Sequence, residues 1–435
     1  MARKMKNSGI EWIGEIPEDW NVLPAYRVFS EVKKKNSDGT EQNALQFKFG
    51  AIIRKANFDA ENDDYVAGTI AAYTVVEPGT VMVNGLNLNY DFKTQRTALV
   101  KEKGVITSAY LALWPNQAMI LPEFATYLIK GYEAKMALHN MGAGIRLTLG
   151  YKEFKKQPIL LPPIQEQFQI VAHIEKQCSS IDSIIAQTRS SIEEYNKLKQ
   201  AVITQAVTKG VRGDRPMKDS WIGEVGSIPD TWNTVRLKFL MDEIVDCPHE
   251  TPEYSFDGEY YVIRTADQDY ARLRSDANMY RLSEAEYSNR IRRLPLNKDD
   301  IVYGREGERW GLACLVPESN KYCLGQRIMQ FRCNSELILP EFAVYALSAS
   351  YVHRQGEFDT LGSTSPHVNI ATIRNYYIFV PSLTEQEEVV NFLKGKCAAI
   401  DSLIMKKEAE LLELESYKKS LIYEYVTGQK EVPIC

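Results

Sequence analysis

Two stretches of this chain place a seam of mostly apolar residues at alternating steps of four and three. From Ile174 the steps meet Cys178, Ile181, Ile185, Thr188, Ile192, Tyr195, Lys199, Val202 and Ala206. From Leu393 they meet Cys397, Ile400, Ile404, Lys407, Leu411, Leu414, Lys418, Leu421 and Tyr425. A 3.5-residue average spacing is the mark of a coiled-coil seam, and Ile184/Leu403 with Ile203/Ile422 widen it towards a core-facing stripe. Neither stretch contains an internal proline. Each follows a proline-bearing extended segment, Leu161-Pro162-Pro163-Ile164 or Val380-Pro381-Ser382-Leu383, and then acidic or amide residues suited to a first helical turn. Two long helices are predicted, and about 42 residues at 1.5 Å rise gives roughly 63 Å for each.

The segments between these helices change period. Gly68–Val76, Thr80–Val83, Thr97–Val100, Ile301–Tyr303, Ala313–Val316 and Arg327–Arg332 alternate or are rich in β-branched residues, which predicts strands. Leu121–Lys130 and Leu339–Ser350 open on Leu-Pro-Glu, which predicts short helices with proline in the first turn. These segments are therefore mixed and strand-rich.

The chain also repeats itself. Residues 7–20 and 219–232 share Trp-Ile-Gly-Glu followed by Ile-Pro-acid-x-Trp, and Leu121-Pro-Glu-Phe-Ala-Thr-Tyr127 returns as Leu339-Pro-Glu-Phe-Ala-Val-Tyr345. Glu166–Thr208 aligns with Glu385–Thr427 without a gap, matching Gln167/Gln386, Cys178/Cys397, Ile181-Asp182-Ser183/Ile400-Asp401-Ser402 and Val207-Thr208/Val426-Thr427. The expected fold is α+β. Domain 1–163 leads into helix 164–209, a Gly/Arg/Pro-rich link 210–218 follows, and then domain 219–382, helix 383–428 and a tail 429–435. The two helices are expected to pair with each other as an antiparallel coiled coil with pseudo-twofold symmetry, placing the domains at opposite ends. The expected seam holds Ile174, Ile181, Ile185, Ile192, Val202, Leu393, Ile400, Ile404, Leu411, Leu414 and Leu421. A homodimeric coiled coil and ordinary bundle helices are the alternatives.

Composition narrows the function. The 435 residues carry a formal net charge of −5, which disfavours a protein that coats nucleic acid without regard to sequence. Local basic surface remains, as in Arg290-Ile291-Arg292-Arg293 and the Arg-rich stretch from Arg264 to Arg309. No run is long and apolar enough to span a bilayer, and the basic N-terminus has no apolar segment behind it. The seven cysteines form no Cys-x-x-Cys pair, so reduced thiols in a cytoplasmic protein are expected, with no metal site. P-loop, dinucleotide-binding, His-Glu-x-x-His and Gly-x-Ser-x-Gly motifs are all missing, as is the Asn/Asp-Pro-Pro-aromatic motif of amino-methyltransferases. No catalytic constellation is legible.

The repeated Gly-Ile-Glu-Trp-Ile-Gly-Glu-Ile-Pro-Glu-Asp-Trp opening resembles the specificity subunits of type I restriction-modification systems. So do Leu-Pro-Pro-Ile-Gln-Glu-Gln before the first helix, Ile-Asp-Ser within it and Val-Thr-Lys-Gly at its end. The likeness covers essentially the whole chain. The second copy is looser, with Pro381-Ser-Leu-Thr-Glu-Gln386 and Thr427-Gly-Gln429 in place of the first copy's forms. The resemblance implies two target-recognition domains, each reading one half of a bipartite, asymmetric sequence in double-stranded DNA. It implies that the helices set the half-site spacing and hold two methyltransferase subunits. Those partners bind S-adenosylmethionine and methylate adenine. Two motor-nuclease (restriction) subunits that use ATP and magnesium can join. This chain would supply no catalytic residue and bind no cofactor. The competing readings are a two-module protein-binding scaffold without DNA specificity and an enzyme with an unfamiliar site.

Candidate DNA contacts follow from the same likeness. Gly304-Arg-Glu-Gly-Glu-Arg-Trp-Gly311 lies between two predicted strands, so its glycines would let the backbone approach a groove. Arg305 and Arg309 would then meet guanine edges or phosphates. The alternative is a hairpin in which Arg305 pairs with Glu306 or Glu308. Gln326 and Arg327 form a second candidate group. Ser363, Thr364, Ser365 and His367 form a third, facing phosphate, with a plain turn as the alternative. In the first domain the corresponding loop offers Asn84, Asn87, Asn89, Lys93, Gln95 and Arg96, whose amides suit adenine, and Arg146 stands where the later Gly-Ser-Thr loop would be. An Asn-rich turn is the alternative there.

Overall fold

A computed structural model describes residues 3–48, 50–56, 64–88, 95–141, 147–269, 271–274, 279–360 and 366–433, with backbone alone for 64–67 and 140–141. The chain divides into two compact units, residues 1–189 with 408–435 and residues 190–407. Each unit holds one mixed domain, part of the helix that follows it in sequence or leads to it, and a complementary part of the other long helix.

In chain order the first unit contains β1 (Asn21–Pro24), β2 (Phe29–Glu31), β3 (Val81–Val83), β4 (Thr97–Leu99), β5 (Leu111–Pro115), α1 (Pro122–Ala134) and β6 (Pro158–Leu161). The long helix α2 (Ile164–Lys209) follows. The second unit contains β7 (Asn233–Arg236), β8 (Met241–Asp246), β9 (Tyr260–Ile263), β10 (Tyr280–Leu282), β11 (Ile301–Gly304), β12 (Ala313–Leu315), β13 (Tyr322–Leu324), β14 (Ile328–Cys333), α3 (Pro340–Leu347) and β15 (Tyr377–Val380). The second long helix, α4, spans Leu383–Val426.

The two domains share a frame. A four-stranded antiparallel sheet runs β2-β5-β3-β4 in the first and β8-β14-β11-β12 in the second, the same order of equivalent strands. Its central strands are buried on both faces. Val81 and Val83 enter the main core, whereas Met82 enters a second core with Leu45, Val76 and Ile106. Likewise Ile301 and Tyr303 face one core and Val302 the other. Two-sided burial is why these strands read as continuous apolar runs instead of alternating ones. The strand expected over Gly68–Val76 is half helix: Asp64–Ala71 is helical and only Thr74–Val76 extends. The helical turn places Ile70 in a small core with Val75, Ala44 and Val105, so tertiary packing overrides the β-branched pattern.

The domain–helix junctions repeat closely. β1 pairs with β6, and β7 with β15, just before each long helix. The buried amide of Gln167 accepts from Leu121 N at 2.8 Å and donates to Met119 O and Pro162 O at 3.0 and 2.9 Å. Gln386 does the same with Leu339 N, Leu337 O and Pro381 O at 2.7, 3.0 and 3.0 Å. Each glutamine satisfies three backbone groups that would otherwise be buried unpaired.

The repeated Trp-Ile-Gly-Glu is not structurally equivalent. Ser8 and Ser220 hydroxyls each accept from the N–H two residues on, and Gly14 and Gly226 each donate to the preceding Ile10 or Ile222 carbonyl. Trp221 therefore stands in the place of Gly9, at φ +61° and largely exposed, while Trp20 and Trp232 are the true pair and are fully buried. The turn hydrogen bonds, not the tetrapeptide, set this register.

Within each unit the long helices run antiparallel. In the first, Lys418 donates to both oxygens of Asp182 at 2.6 and 2.7 Å, and Arg189 pairs with Glu415 at 3.0 Å. Ile174, Cys178, Ile181 and Ile185 share a core with Leu421, Ile422 and Tyr425. In the second, Lys199 donates to Asp401 at 2.8 and 3.1 Å, and Ile203, Ala206 and Val207 share a core with Val389, Leu393 and Cys397. Lys199–Asp401 and Lys418–Asp182 are equivalent under the sequence repeat, so each unit makes the same pairing. Of the other seam positions, Ile400 and Leu421 are buried, whereas Ile192, Val202, Ile404, Leu411 and Leu414 are half-buried. Two helices alone cannot enclose a seam that no domain core covers. Ile184 and Leu403, expected to widen the stripe, are both 42% exposed and lie on its outer flank, whereas Ile203 and Ile422 are buried. Among the described residues no helix is long and apolar enough to cross a membrane.

The two ion pairs differ in burial: side chains are 10% and 23% exposed in Lys199–Asp401, against 26% and 56% in Lys418–Asp182. Lys199→Ala, which strands a mostly buried carboxylate, is expected to cost about 2–4 kcal/mol. Lys418→Ala is expected to cost less than about 1 kcal/mol. Urea unfolding of the full chain distinguishes them, and equal losses would contradict the assignment.

Candidate nucleic-acid interface

Strand polarity gathers loops at one edge of each sheet. In the second unit Asp246 at the end of β8 lies opposite Met329, and Gly304 at the end of β11 lies opposite Ile328, so both strands finish where β14 begins. The parallel pair β9 and β13 ends there too, with Gly325 N donating to Ile263 O at 2.8 Å. The segments after Asp246, Ile263, Gly304 and Leu324 thus form one rim. In the first unit Val83 pairs with Leu111 and Thr97, so the residues just after Val83 and just before Thr97 correspond to those after Tyr303 and before Ala313.

Arg305 does not present a guanidinium at this rim. It is 3% exposed and grips Asp246 side-on, Nε to Oδ1 at 3.0 Å and Nη2 to Oδ2 at 3.1 Å. It also pairs with Glu306 at 3.0 Å and donates to His367 Nε2 at 3.0 Å. His367 Nδ1 lies 3.1 Å from Glu306, an arrangement that selects the tautomer with its proton on Nδ1. The Arg305 backbone donates to Arg327 O and accepts from Val368 N, both at 3.0 Å. One buried arginine therefore binds the rim segments around residues 246, 306, 327 and 367 together. Its charge is matched by carboxylates, so reading a base edge is not what this side chain is placed to do. Internal pairing with Glu306, open from the sequence, is present, but Asp246 is the partner held by two hydrogen bonds.

The other candidates sit closer to solvent. Arg309 is partly exposed and donates to Gln268 O at 2.6 Å. Gln326 donates to Thr251 Oγ1 at 3.1 Å, and Arg327 is exposed at φ +71°. His367 is half exposed. Glycine in the hairpin serves the turn: Gly311 has φ +88°, and a Cβ there would stand 2.7 Å from the His353 ring. The expected basic patch is split, because Arg290 is buried and donates to Leu324 O, Glu250 O and Pro248 O, whereas Arg292 and Arg293 are exposed. Ser363, Thr364 and Ser365 lie outside the described residues.

In the first unit Arg96 plays the inward part. It is 1% exposed and donates through Nη1 to Asn84 O and Leu86 O at 3.0 and 2.7 Å, pegging the loop from beneath. Asn84 accepts from Leu86 N at 3.2 Å, and Asn87 (φ +51°) and Gln95 are exposed. Asn89, Lys93 and Arg146 lie outside the described residues. The sequence reading missed Lys33, Lys34 and Lys35, all exposed, which leave β2 on the same rim. A run of lysines straight after a strand is the signal that marks them. It likewise passed over Asp246 and His249, which pair at 2.9 Å. Among the described residues no group of His, Cys, Asp or Glu is placed to hold a metal ion.

Behind Arg96 lies Glu133. Thr97 Oγ1 donates to it at 2.6 Å and Arg96 N at 3.3 Å. Burial pushes its carboxyl up to about 7, against the partial relief of these two donors. A folded value above the unfolded one means that stability is full below the ordinary carboxylate range and is lost as pH rises through about 7. The wild type is therefore expected to lose up to about 3 kcal/mol between pH 5 and pH 8, and Glu133→Gln to remove that loss. Urea unfolding at stepped pH reads the slope, and identical slopes would contradict the placement of Glu133.

Residues 229–413 match the family model described as "Type I restriction modification DNA specificity domain". The chain is similar to two Methanocaldococcus jannaschii proteins. The type I restriction enzyme MjaVIII specificity subunit is 25% identical, covering 96% of this chain and 94% of that one. The putative type I restriction enzyme MjaX specificity subunit is 24% identical, covering 97% and 96%. A solved chain described as "Structural basis underlying complex assembly and conformational transition of the type I R-M system" shares the fold. Its TM-score is 0.65 at 15% identity, with 95% of this chain and 99% of that chain covered. With its duplicated frame and paired helices, the chain is similar along nearly its whole length to type I restriction enzyme specificity subunits, and its residues 229–413 match the DNA specificity domain of that family.

Proposed function

We propose that this chain reads a bipartite, asymmetric DNA sequence, one half per unit, while its helix pair sets the spacing and docks two methyltransferase subunits. S-adenosylmethionine then belongs to the methyltransferase partner, and ATP with magnesium to a motor-nuclease partner. Methyl transfer and cleavage take place on those subunits.

The observation that carries the reading is that the frame repeats and the rim does not. Gln167 and Gln386, the Lys–Asp pairs and the strand order are shared. The rims offer different chemistry: exposed Asn87, Gln95 and three lysines in one unit, and Arg309, Gln326, Arg327 and His367 in the other. Amides suit adenine, arginines suit guanine or phosphate, and lysines suit phosphate, so two unlike rims fit two unlike half-sites. Arg305 and Arg96 act as positioning residues beneath these rims. On the outer flank of the helices, Ile184 with Tyr417 in one unit and Leu403 with Leu198 in the other occupy equivalent positions and are exposed. Exposed apolar side chains repeated in this way suit two copies of one partner.

Reconstitution with the methyltransferase partner tests the proposal. The expected product binds two methyltransferase copies per chain and methylates adenines in one bipartite motif with unlike halves. Arg309→Ala with Arg327→Ala should weaken the half read by the second unit about tenfold or more and spare the other. A complex with no sequence preference, or equal loss at both halves, would defeat it and favour a protein-binding scaffold.

A further inference from the structure

His249 follows the end of β8 on the rim of the second unit, and its side chain is 60% exposed. Its backbone is held on both sides. The buried Arg290 donates to the carbonyls of Pro248 and Glu250 at 3.3 and 3.1 Å. Gln326 Nε2 lies 3.4 Å from His249 O and donates to Thr251 Oγ1 at 3.1 Å. The ring is held as well. His249 Nε2 stands 2.9 Å from Asp246 Oδ2, and Asp246 is itself fixed through both oxygens by Arg305.

The chemistry of that contact selects a tautomer. A carboxylate only accepts, so the ring proton sits on Nε2 and is donated to Asp246. Arg305 Nη2 approaches the same nitrogen at 3.4 Å, a longer contact, and cannot donate to it while the proton is there. In the neutral ring Nδ1 then presents a lone pair. Among the described residues no hydrogen bond engages this nitrogen. His367, the other histidine of this rim, differs: its Nδ1 faces Glu306 and its Nε2 accepts from Arg305, so both nitrogens are engaged.

An acceptor ordered in advance in both ring and backbone loses little freedom on contact, and it suits a donor. In the major groove the donors are the exocyclic amino groups, N6 of adenine and N4 of cytosine. Phosphate oxygens only accept and offer this nitrogen nothing.

We propose that His249 is a specificity-determining residue of the second unit, accepting through Nδ1 from the exocyclic amino group of one base, with Asp246 as the positioning residue that fixes the ring. The assignment rests on the DNA-reading function proposed above. It goes further by naming the group that is read and the atom that reads it.

The test uses the complex of this chain with its methyltransferase partner. Selection from duplexes randomised in the second half-site first identifies the preferred adenines and cytosines. Each is then replaced in turn by the analogue without its amino group, purine for adenine or pyrimidinone for cytosine. At one position the wild type should lose about 3- to 10-fold in affinity. His249→Ala should lose as much on the natural duplex and nothing further on that analogue. Asp246→Asn should shrink the penalty for the same missing amino group and leave the penalties at neighbouring bases unchanged, a confinement that general loosening of the domain would not produce. An undiminished penalty at every amino group in His249→Ala would overturn the assignment, as would a His249-dependent preference for guanine or thymine, which present acceptors. A complex that enriches no bipartite duplex defeats the function itself, whereas one that enriches a bipartite duplex indifferent to His249 defeats this inference alone.

Discussion

The antiparallel register of the two long helices is the constraint on which the rest depends. It is held by charge as well as by apolar packing. Lysine and aspartate seventeen positions apart on one helix meet their counterparts on the other, Lys199 with Asp401 and Lys418 with Asp182. An apolar seam alone tolerates slips of one heptad. A buried lysine does not, because a slip leaves its charge without a carboxylate in a site that excludes water. At the root of each helix a buried glutamine ties the first turn to the neighbouring domain through three backbone bonds.

The arginines show how little residue type says about role. Arg96, Arg290 and Arg305 are all buried and all donate to groups of the chain itself, Arg305 to the His367 ring as well as to carboxylates. They shape loops at the sheet edge. Exposed or partly exposed cations nearby are Lys33–Lys35 in one unit and Arg264, Arg309 and Arg327 in the other. A net charge of −5 is compatible with such a surface because many acidic residues lie elsewhere, notably along α4.

The long helices were legible because an apolar spacing of 3.5 residues, kept over many turns, fits a helix and no strand or loop. The duplicated Gln and Asp positions also make duplicated contacts. The central strands were legible because both faces are buried. What failed was local. Trp-Ile-Gly-Glu looks like a repeat but aligns Trp221 with Gly9, since turn hydrogen bonds of Ser8 and Ser220 set the match. The stretch around Ile70 reads as strand and folds as helix because a small core claims it. Arg305 looked like a reader because its partners Asp246 and His367 lie about 60 residues away in either direction, and only Glu306 was visible beside it.

The most direct measurement of the helix pair as a ruler is removal of equivalent heptads, residues 186–192 and 405–411, which shortens both helices together and keeps both Lys–Asp pairs level. Each helix loses about 10 Å, an upper limit of about three base pairs at 3.4 Å each. Selection from duplexes with both half-sites held constant and the spacer length randomised should return a shorter spacer for the deleted form. An unchanged spacer at undiminished affinity would show that something other than these helices sets the distance.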